Sequence, residues 1–220
     1  MKTTQAIWSK TLGIAYYPTP KCGSTSIKLA ILDSLSVHYP PRAATVHDAL
    51  PVPDNVRAWN LSDLRVEDFY IQRRSPLKEF TGFHFSVLRD PAECLLSAYR
   101  SKVRDGAAGI PYVPTDTSWD AFLAVVFEDP LRNTHYTPKY LLFPETQVTL
   151  LQFERLTCAW KIVQDSSNLK KDLTINNRTE RMESDPTFTA TQLKKCKELY
   201  AEDYKLHARL QESAAGFIHL

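Results

Sequence analysis

Pro20-Lys21-Cys22-Gly23-Ser24-Thr25-Ser26 stands between an apolar run, Leu12 to Tyr17, and the segment Ile27-Lys28-Leu29-Ala30-Ile31-Leu32. The run before it reads as a buried strand and the segment after it as a helix. A strand that hands a loop of small residues to a helix N-terminus builds a cradle for an anion. The amides of Gly23 to Ser26 would point outward without intrahelical acceptors, three hydroxyls stand beside them, and Lys21 adds a full charge where the helix dipole is already positive. The expected ligand is a phosphate or a group built like one. The stretch is not a Walker A loop, G-x-x-x-x-G-K-[ST], because Lys21 precedes the loop's one glycine. ATP is therefore not the first ligand to expect.

A second stretch has the same layout. Thr81-Gly82-Phe83-His84-Phe85-Ser86-Val87-Leu88 reads as a buried strand and runs into Arg89-Asp90-Pro91 and then Ala92 to Arg100. Asp90 suits an N-cap and Pro91 the first helical position. Arg89 then sits at the carboxyl end of a strand, with Ser97 about two turns into the following helix. Ligands of open α/β sheets bind at the carboxyl ends of strands, so both loops should open on one edge. A ligand with two separate anionic groups would satisfy both.

Composition suits one domain over residues 1–220. With 43% hydrophobic residues the chain can bury a full core, and a net charge of +2 argues against a general nucleic-acid binder. The longest clean apolar run, Ala121 to Phe127, is too short to cross a bilayer, and the N-terminus lacks the charged-then-apolar layout of a signal peptide. A cytoplasmic protein without a membrane partner is the expectation. Cys22, Cys94, Cys158 and Cys196 are scattered, without C-x-x-C spacing, and read as free thiols. Asn60-Leu61-Ser62 and Asn177-Arg178-Thr179 match glycosylation acceptors, which such triplets do often by chance.

The remaining elements alternate as in an α/β protein. A short strand is expected at 43–47 within the Pro-rich passage 39–53, and a polar, partly helical stretch to Lys78. Asp105 to Thr117 reads as a long loop, followed by a helix that a capping box, Thr117-Ser118-Trp119-Asp120, opens and that runs through Glu128. Gln147 to Phe153 predicts a strand and Leu156 to Gln164 a helix. From Thr189 to Leu210 one long helix is predicted, with Leu193, Cys196, Tyr200, Tyr204 and His207 on its apolar face. The fold class is α/β, three-layer and P-loop-like, with a central parallel sheet of about four or five strands flanked by helices.

Lys21-Cys22-Gly23-Ser24-Thr25-Ser26 resembles the 5′-phosphosulfate loop of the sulfotransferases that use 3′-phosphoadenosine 5′-phosphosulfate (PAPS), and Arg89-Asp90-Pro91 through Ser97-Ala98-Tyr99-Arg100 resembles their 3′-phosphate motif. The chain is most similar to the carbohydrate sulfotransferase branch. His135-Tyr136-Thr137-Pro138-Lys139-Tyr140, Leu151-Gln152-Phe153-Glu154-Arg155-Leu156 and Leu199 to Leu206 follow in that branch's order, so the likeness spans nearly the whole chain. Two positions depart from it: Lys139 stands where the family usually has Gln, and Cys94 where it often has Arg. Animal glycan-modifying members carry a Golgi membrane anchor. The resemblance therefore implies a soluble, bacterial-type relative, or a chain from which the anchor has been removed.

The resemblance implies PAPS as donor and 3′,5′-adenosine bisphosphate as product, with no metal and an acceptor hydroxyl on a carbohydrate. Sulfuryl transfer needs in-line positioning, charge stabilisation at the leaving phosphate and a base for the hydroxyl proton. Lys21 would bind the bridging oxygen, or else be a solvated loop lysine. Lys21, Cys22, Gly23, Ser24, Thr25 and Ser26 would hold the phosphosulfate, one hydroxyl alternatively capping the helix. Arg89 and Ser97 would hold the 3′-phosphate; the alternatives are an ion pair with a neighbouring acid and a back-bond to a helix carbonyl. His47 is the candidate base, or a surface histidine in a Pro-rich loop. His135 is the runner-up, and His47, His135 and Lys139 are the acceptor-side candidates. Glu154 reads as base, orienting group, ion-pair partner of Arg155 or backbone cap, and His84 as a satisfied core residue. A nucleotide or small-molecule kinase, and a non-catalytic binder of adenosine bisphosphates or glycans, are the competing readings.

Overall fold

A computed structural model of the chain describes residues 5–35, 70–73, 80–104, 113–145, 147–174 and 182–220. The expected strand at 43–47, with His47, lies outside them, as do Arg178, both glycosylation triplets and most of the predicted loop after Asp105.

Among the described residues the core is a six-stranded sheet. Its strands are β1 (Gln5–Ser9), β2 (Ile14–Tyr17), β3 (Tyr70–Arg73), β4 (Phe83–Leu88), β5 (Thr149–Gln152) and β6 (Phe217–His219), in the spatial order β3-β1-β2-β4-β5-β6. The three central strands are parallel: Ile14 pairs with Phe83 and Tyr17 with Ser86, then Phe85 with Thr149 and Leu88 with Gln152. Every residue of β2 and β5 is buried; β2 accordingly reads as an unbroken apolar run, whereas β5 buries Thr149 and Gln152 at its two ends. The α/β expectation holds, and the parallel part is confined to this centre. Antiparallel β1, β3 and β6 extend it on both sides. These strands of three to five residues carry no periodicity long enough to read.

Each parallel strand leads into a helix: α1 (Ser24–Ser34) after β2, α2 (Pro91–Tyr99) after β4, and α4 (Leu156–Asp165) after β5, with α3 (Trp119–Glu128) between. Side chains alternate across the sheet. Ile14, Tyr16, Phe85, Val87 and Leu151 face Ile27 and Ile31 of α1 and Trp160 and Val163 of α4. Tyr17, Leu88 and Leu150 belong to the opposite layer with Leu210. Trp160 anchors the first layer, edge-on to Phe85 at 5.9 Å, its indole N–H donating to the carbonyl of Lys171 at 3.0 Å. Truncating such a buried aromatic costs about 3–5 kcal/mol.

The long C-terminal helix is two. Helix α5 (Ala190–Leu199) starts at a Thr189 cap that Gln192 reciprocates, and α6 (Ala201–Glu212) follows a break at Tyr200, whose φ of −106° and ψ of 29° leave the helical range. Cys196 and Tyr200 pack with α2 and α3, and Leu210 with the sheet, so the break lets one predicted apolar face serve two layers. Among the described residues no helix is long and apolar enough to cross a membrane.

Candidate active site

Parallel pairing of β2 with β4 puts the loop after Tyr17 and the turn after Leu88 on one edge of the sheet. In the first loop the backbone turns left-handed at Lys21 (φ 69°) and again at Gly23 (φ 78°). Glycine is required at the second position. A Cβ there would lie 3.3 Å from both Phe153 and Leu156, besides the strain of a positive φ. Gly23 holds the N-cap position of α1, so none of Ser24, Thr25 and Ser26 stands there. The first amides of α1 have no preceding turn to receive them. Ser24 and Thr25 are half-buried and Ser26 is buried.

Lys21 reaches across the loop and donates to the hydroxyl of Ser101, in the π-helical turn Arg100–Arg104 that continues α2. Burial, and after it the positive charge of Lys102, push its ammonium down to about 8, with Arg89 and Lys139 adding to the effect and Cys94 opposing it. At neutral pH the group remains charged and is a readier proton donor than an ordinary lysine.

At the second turn Asp90 caps α2, its carboxylate accepting from the amide of Glu93 at 3.0 Å, with Pro91 as the first helical residue. Arg89 points back across the edge. It donates to the carbonyl of Lys21 at 3.4 Å, pairs with Glu93 at 3.0 Å and lies over the ring of Phe153, 4.6 Å from its centroid. The ion-pair alternative for Arg89 thus exists, with Glu93 rather than Asp90. Ser97 is half-buried two turns along the same helix, and its hydroxyl makes no hydrogen bond to a described residue; the back-bond alternative is absent there.

Glu154 caps a backbone and also orients a neighbour. One carboxylate oxygen accepts from the Asp90 amide at 3.2 Å, and the other lies 3.3 Å from Nε2 of His207. The Glu154 hydrogen bond raises the pKa of His207, burial working against it. Burial opposes ionisation of Glu154, but the hydrogen bond from His207 and backbone amides hold its pKa below the usual carboxylate value. Its sequence neighbour Arg155 turns elsewhere, donating to the carbonyls of Ser213 and Ala214. Arg89, Glu93, Phe153, Glu154 and His207 line a cleft of about 290 Å³.

The segment after Asn133 lies differently from expectation. His135 is half-buried, its Nδ1 2.8 Å from the side-chain oxygen of Asn133. Lys139, expected at the acceptor, is only 2% exposed. Its ammonium donates to the carbonyls of Thr134, His135 and Thr137 at 3.0–3.3 Å, and its amide donates to Asp203 at 2.7 Å. Three donors meeting three carbonyls make Lys139 a strut of this turn rather than a group held out to an acceptor. Burial lifts the Asp203 carboxyl to about 6, against the amides of Lys139 and Tyr140 that it receives. The structure therefore joins Lys21, Cys22, Gly23 and Arg89 with the α1 N-terminus, and places His135 and Lys139 on another turn, from which the Lys139 charge still acts on Lys21 and Cys22. His84 is the satisfied strand residue expected, bonded to Tyr17 and to the carbonyl of Phe80.

Sequence reading missed Ser101, Glu93 and the placement of Phe153 and His207 around Arg89. Ser101 follows Ser97 by one helical turn, a spacing that points to a shared face. His207 was visible on the apolar face of its helix, without a sign of which element that face would meet.

No curated protein and no solved structure matched the chain. A model of the sulfotransferase family matches residues 4–155, more than half of the chain, and this stretch contains the Lys21 loop, the Arg89 turn and Glu154. With both anion-facing turns inside the match, the chain belongs to the sulfotransferase family, whose members are transferases of sulfuryl groups.

Proposed function

We propose that this sulfotransferase takes its sulfuryl group from PAPS and passes it to a hydroxyl, with a carbohydrate as the acceptor class. The observation that carries the donor assignment is the contact between the two turns. Arg89 touches the carbonyl of Lys21, so one ligand with anionic groups at two ends would engage both. The residues fit such a ligand: an uncapped helix N-terminus, hydroxyls at Ser24 and Thr25, and cations at Lys21 and Arg89.

When bound, PAPS supplies sulfur already joined to a good leaving group. The chain's residues do the rest. Amides and hydroxyls of Gly23 to Ser26 hold the phosphosulfate oxygens. Lys21, now on Ser101, would turn to the leaving phosphate and supply positive charge there. Arg89, and Ser97 two turns along the helix that follows it, would hold the 3′-phosphate, for which Glu93 is the resident substitute at Arg89. His47 takes the acceptor's proton, with His135 as the second candidate. The carbohydrate class rests on the resemblance of the segment from His135 to Tyr140 to the carbohydrate sulfotransferase branch.

A thermal-shift panel of 3′,5′-adenosine bisphosphate, PAPS, AMP and ATP tests the donor, and transfer of labelled sulfate to a glycan array tests the acceptor. The bisphosphate and PAPS should stabilise the protein and AMP should do little. Equal shifts with AMP and the bisphosphate would overturn the donor assignment, and label that reaches only non-carbohydrate hydroxyls would overturn the acceptor class.

A further inference from the structure

Cys22 and Cys94 lie 72 positions apart in sequence, yet their sulfurs are 3.6 Å from each other. Both are free thiols and both are buried, at 0% and 3% exposure. Cys22 sits in the anion loop between Lys21 and left-handed Gly23, and Cys94 on α2 between Arg89 and Ser97, its amide bonded to the Asp90 carbonyl. The remaining cysteines differ. Cys158 is exposed, and Cys196 is bonded to the Tyr204 hydroxyl at 3.8 Å, with burial pushing its thiol up to about 12.

We propose that Cys22 and Cys94 form a reversible redox pair, oxidised by a small hydroperoxide to a disulfide that disables the anion loop. The Cys22 thiolate attacks one peroxide oxygen, the O–O bond breaks, and the released hydroxide takes a proton to leave as water. The resulting sulfenic acid is then attacked by the Cys94 sulfur, which gives up its proton as the S–O bond breaks and a second water leaves. Two thiols lose two electrons and two protons; one hydrogen peroxide becomes two waters. A dithiol reductant reverses the bond by exchange.

The ionisation of the pair suits these roles. Burial opposes a Cys22 thiolate, but the Cys94 thiol's hydrogen bond and the charges of Lys139 and Arg89 bring its pKa below that of an ordinary thiol. The same hydrogen bond, then burial, raise Cys94. Cys22 is thus the more acidic of the two thiols and Cys94 the less acidic. Both sulfurs are buried, so oxidation requires local opening of the loop to bring a small peroxide to Cys22. A disulfide brings the sulfurs from 3.6 Å to about 2.0 Å. Closing that gap shifts Cys22 relative to its neighbours Lys21 and Gly23, whose left-handed backbone shapes the loop.

The effect on the ligand rests on the proposed function; the chemistry of the pair does not. The test starts from the full chain carrying Cys158→Ser, treated with hydrogen peroxide and mapped by mass spectrometry without reduction. Bisphosphate affinity is measured before oxidation, after it, and after dithiothreitol. A linked Cys22–Cys94 peptide should appear, affinity should fall by roughly tenfold or more, and dithiothreitol should restore both. Adding Cys94→Ala should abolish the link and let Cys22 proceed to a sulfinic acid that dithiothreitol cannot reverse. Cys94→Ser is the second variant if alanine does not fold. Both thiols remaining reduced, or a linked peptide with unchanged affinity, would overturn the proposal. Untreated protein that does not bind bisphosphate would instead overturn the donor assignment, and the linked peptide would still decide the redox pair.

Discussion

Arg89 donates to the backbone carbonyl of Lys21 at 3.4 Å, a contact between residues 68 positions apart that brings the ends of two neighbouring parallel strands together. Each residue is also occupied locally, Arg89 by Glu93 and Lys21 by Ser101. Both cations are thus held in place by groups that an anionic ligand would exchange, which limits the entropy lost on binding.

Arg89→Ala should erase discrimination between 3′,5′-adenosine bisphosphate and AMP. A ligand at a hundred times its dissociation constant stabilises a protein by about 2.7 kcal/mol, so the bisphosphate shift should be plain in a melting experiment with the unmodified chain. In the variant it should shrink to the AMP value. Retained discrimination would mean that Arg89 does not hold the 3′-phosphate.

Lys21→Ala should lower turnover by roughly a hundredfold to a thousandfold, the worth of one donor aimed at developing charge, with a smaller effect on bisphosphate affinity. The Lys21 pKa of about 8 adds a sign. The ammonium is the competent form, so turnover should fall as pH rises through about 8. Lys21→Arg, which stays protonated, should lose that limb. A pH–rate profile unchanged by Lys21→Arg would remove Lys21 from the chemistry.

Gly23→Ala should destabilise the fold by roughly 1 to 3 kcal/mol, the cost of holding an ordinary residue in a sparsely populated backbone region. The new methyl also meets Phe153 and Leu156, so the loop must shift. Bisphosphate affinity should fall with it. Calorimetric unfolding and ligand titration on one sample separate the two effects.

The parallel centre was legible where burial on both faces leaves an apolar run, as at β2, and the start of α2 was legible because Asp90 caps it as its chemistry requires. The capping box expected from Thr117 to Asp120 does not form: Ser118 is the cap, and the position that would reciprocate is Ala121. What escaped depends on tertiary packing. Nothing local shows that Tyr200 interrupts a helical pattern, that a lysine at 139 will be consumed by carbonyls, or that Cys22 will meet Cys94. Arg89 was legible as a cation at a strand end, but its placement over Phe153 needed β4 and β5 to be neighbours.

His207→Gln should flatten part of the dependence of melting temperature on pH. Hydrogen bonding to Glu154 raises His207 despite burial, so its contribution is complete below the unfolded value near 6.5 and is lost as pH rises through the folded value. The Glu154 contribution has the opposite sense: it is present above the unfolded value and lost as pH falls through its lowered folded value. The variant should therefore lose the decline on the alkaline side of about 6.5. An unchanged alkaline slope would show that His207 does not titrate against Glu154.

His47→Ala and His135→Ala form a matched test of the proposed base. If His47 accepts the hydroxyl proton, its removal should lower transfer by roughly a hundredfold to ten-thousandfold and abolish the acid limb of the pH profile, with bisphosphate binding nearly intact. His135 is held by Asn133 on a turn braced by Lys139, and its loss should raise the acceptor KM with a smaller change in kcat. The reverse pattern, an acid limb lost with His135 and kept without His47, would move the base to His135. Bisphosphate binding in both variants should stay near that of the unmodified chain, because neither histidine belongs to the two turns that Lys21 and Arg89 join.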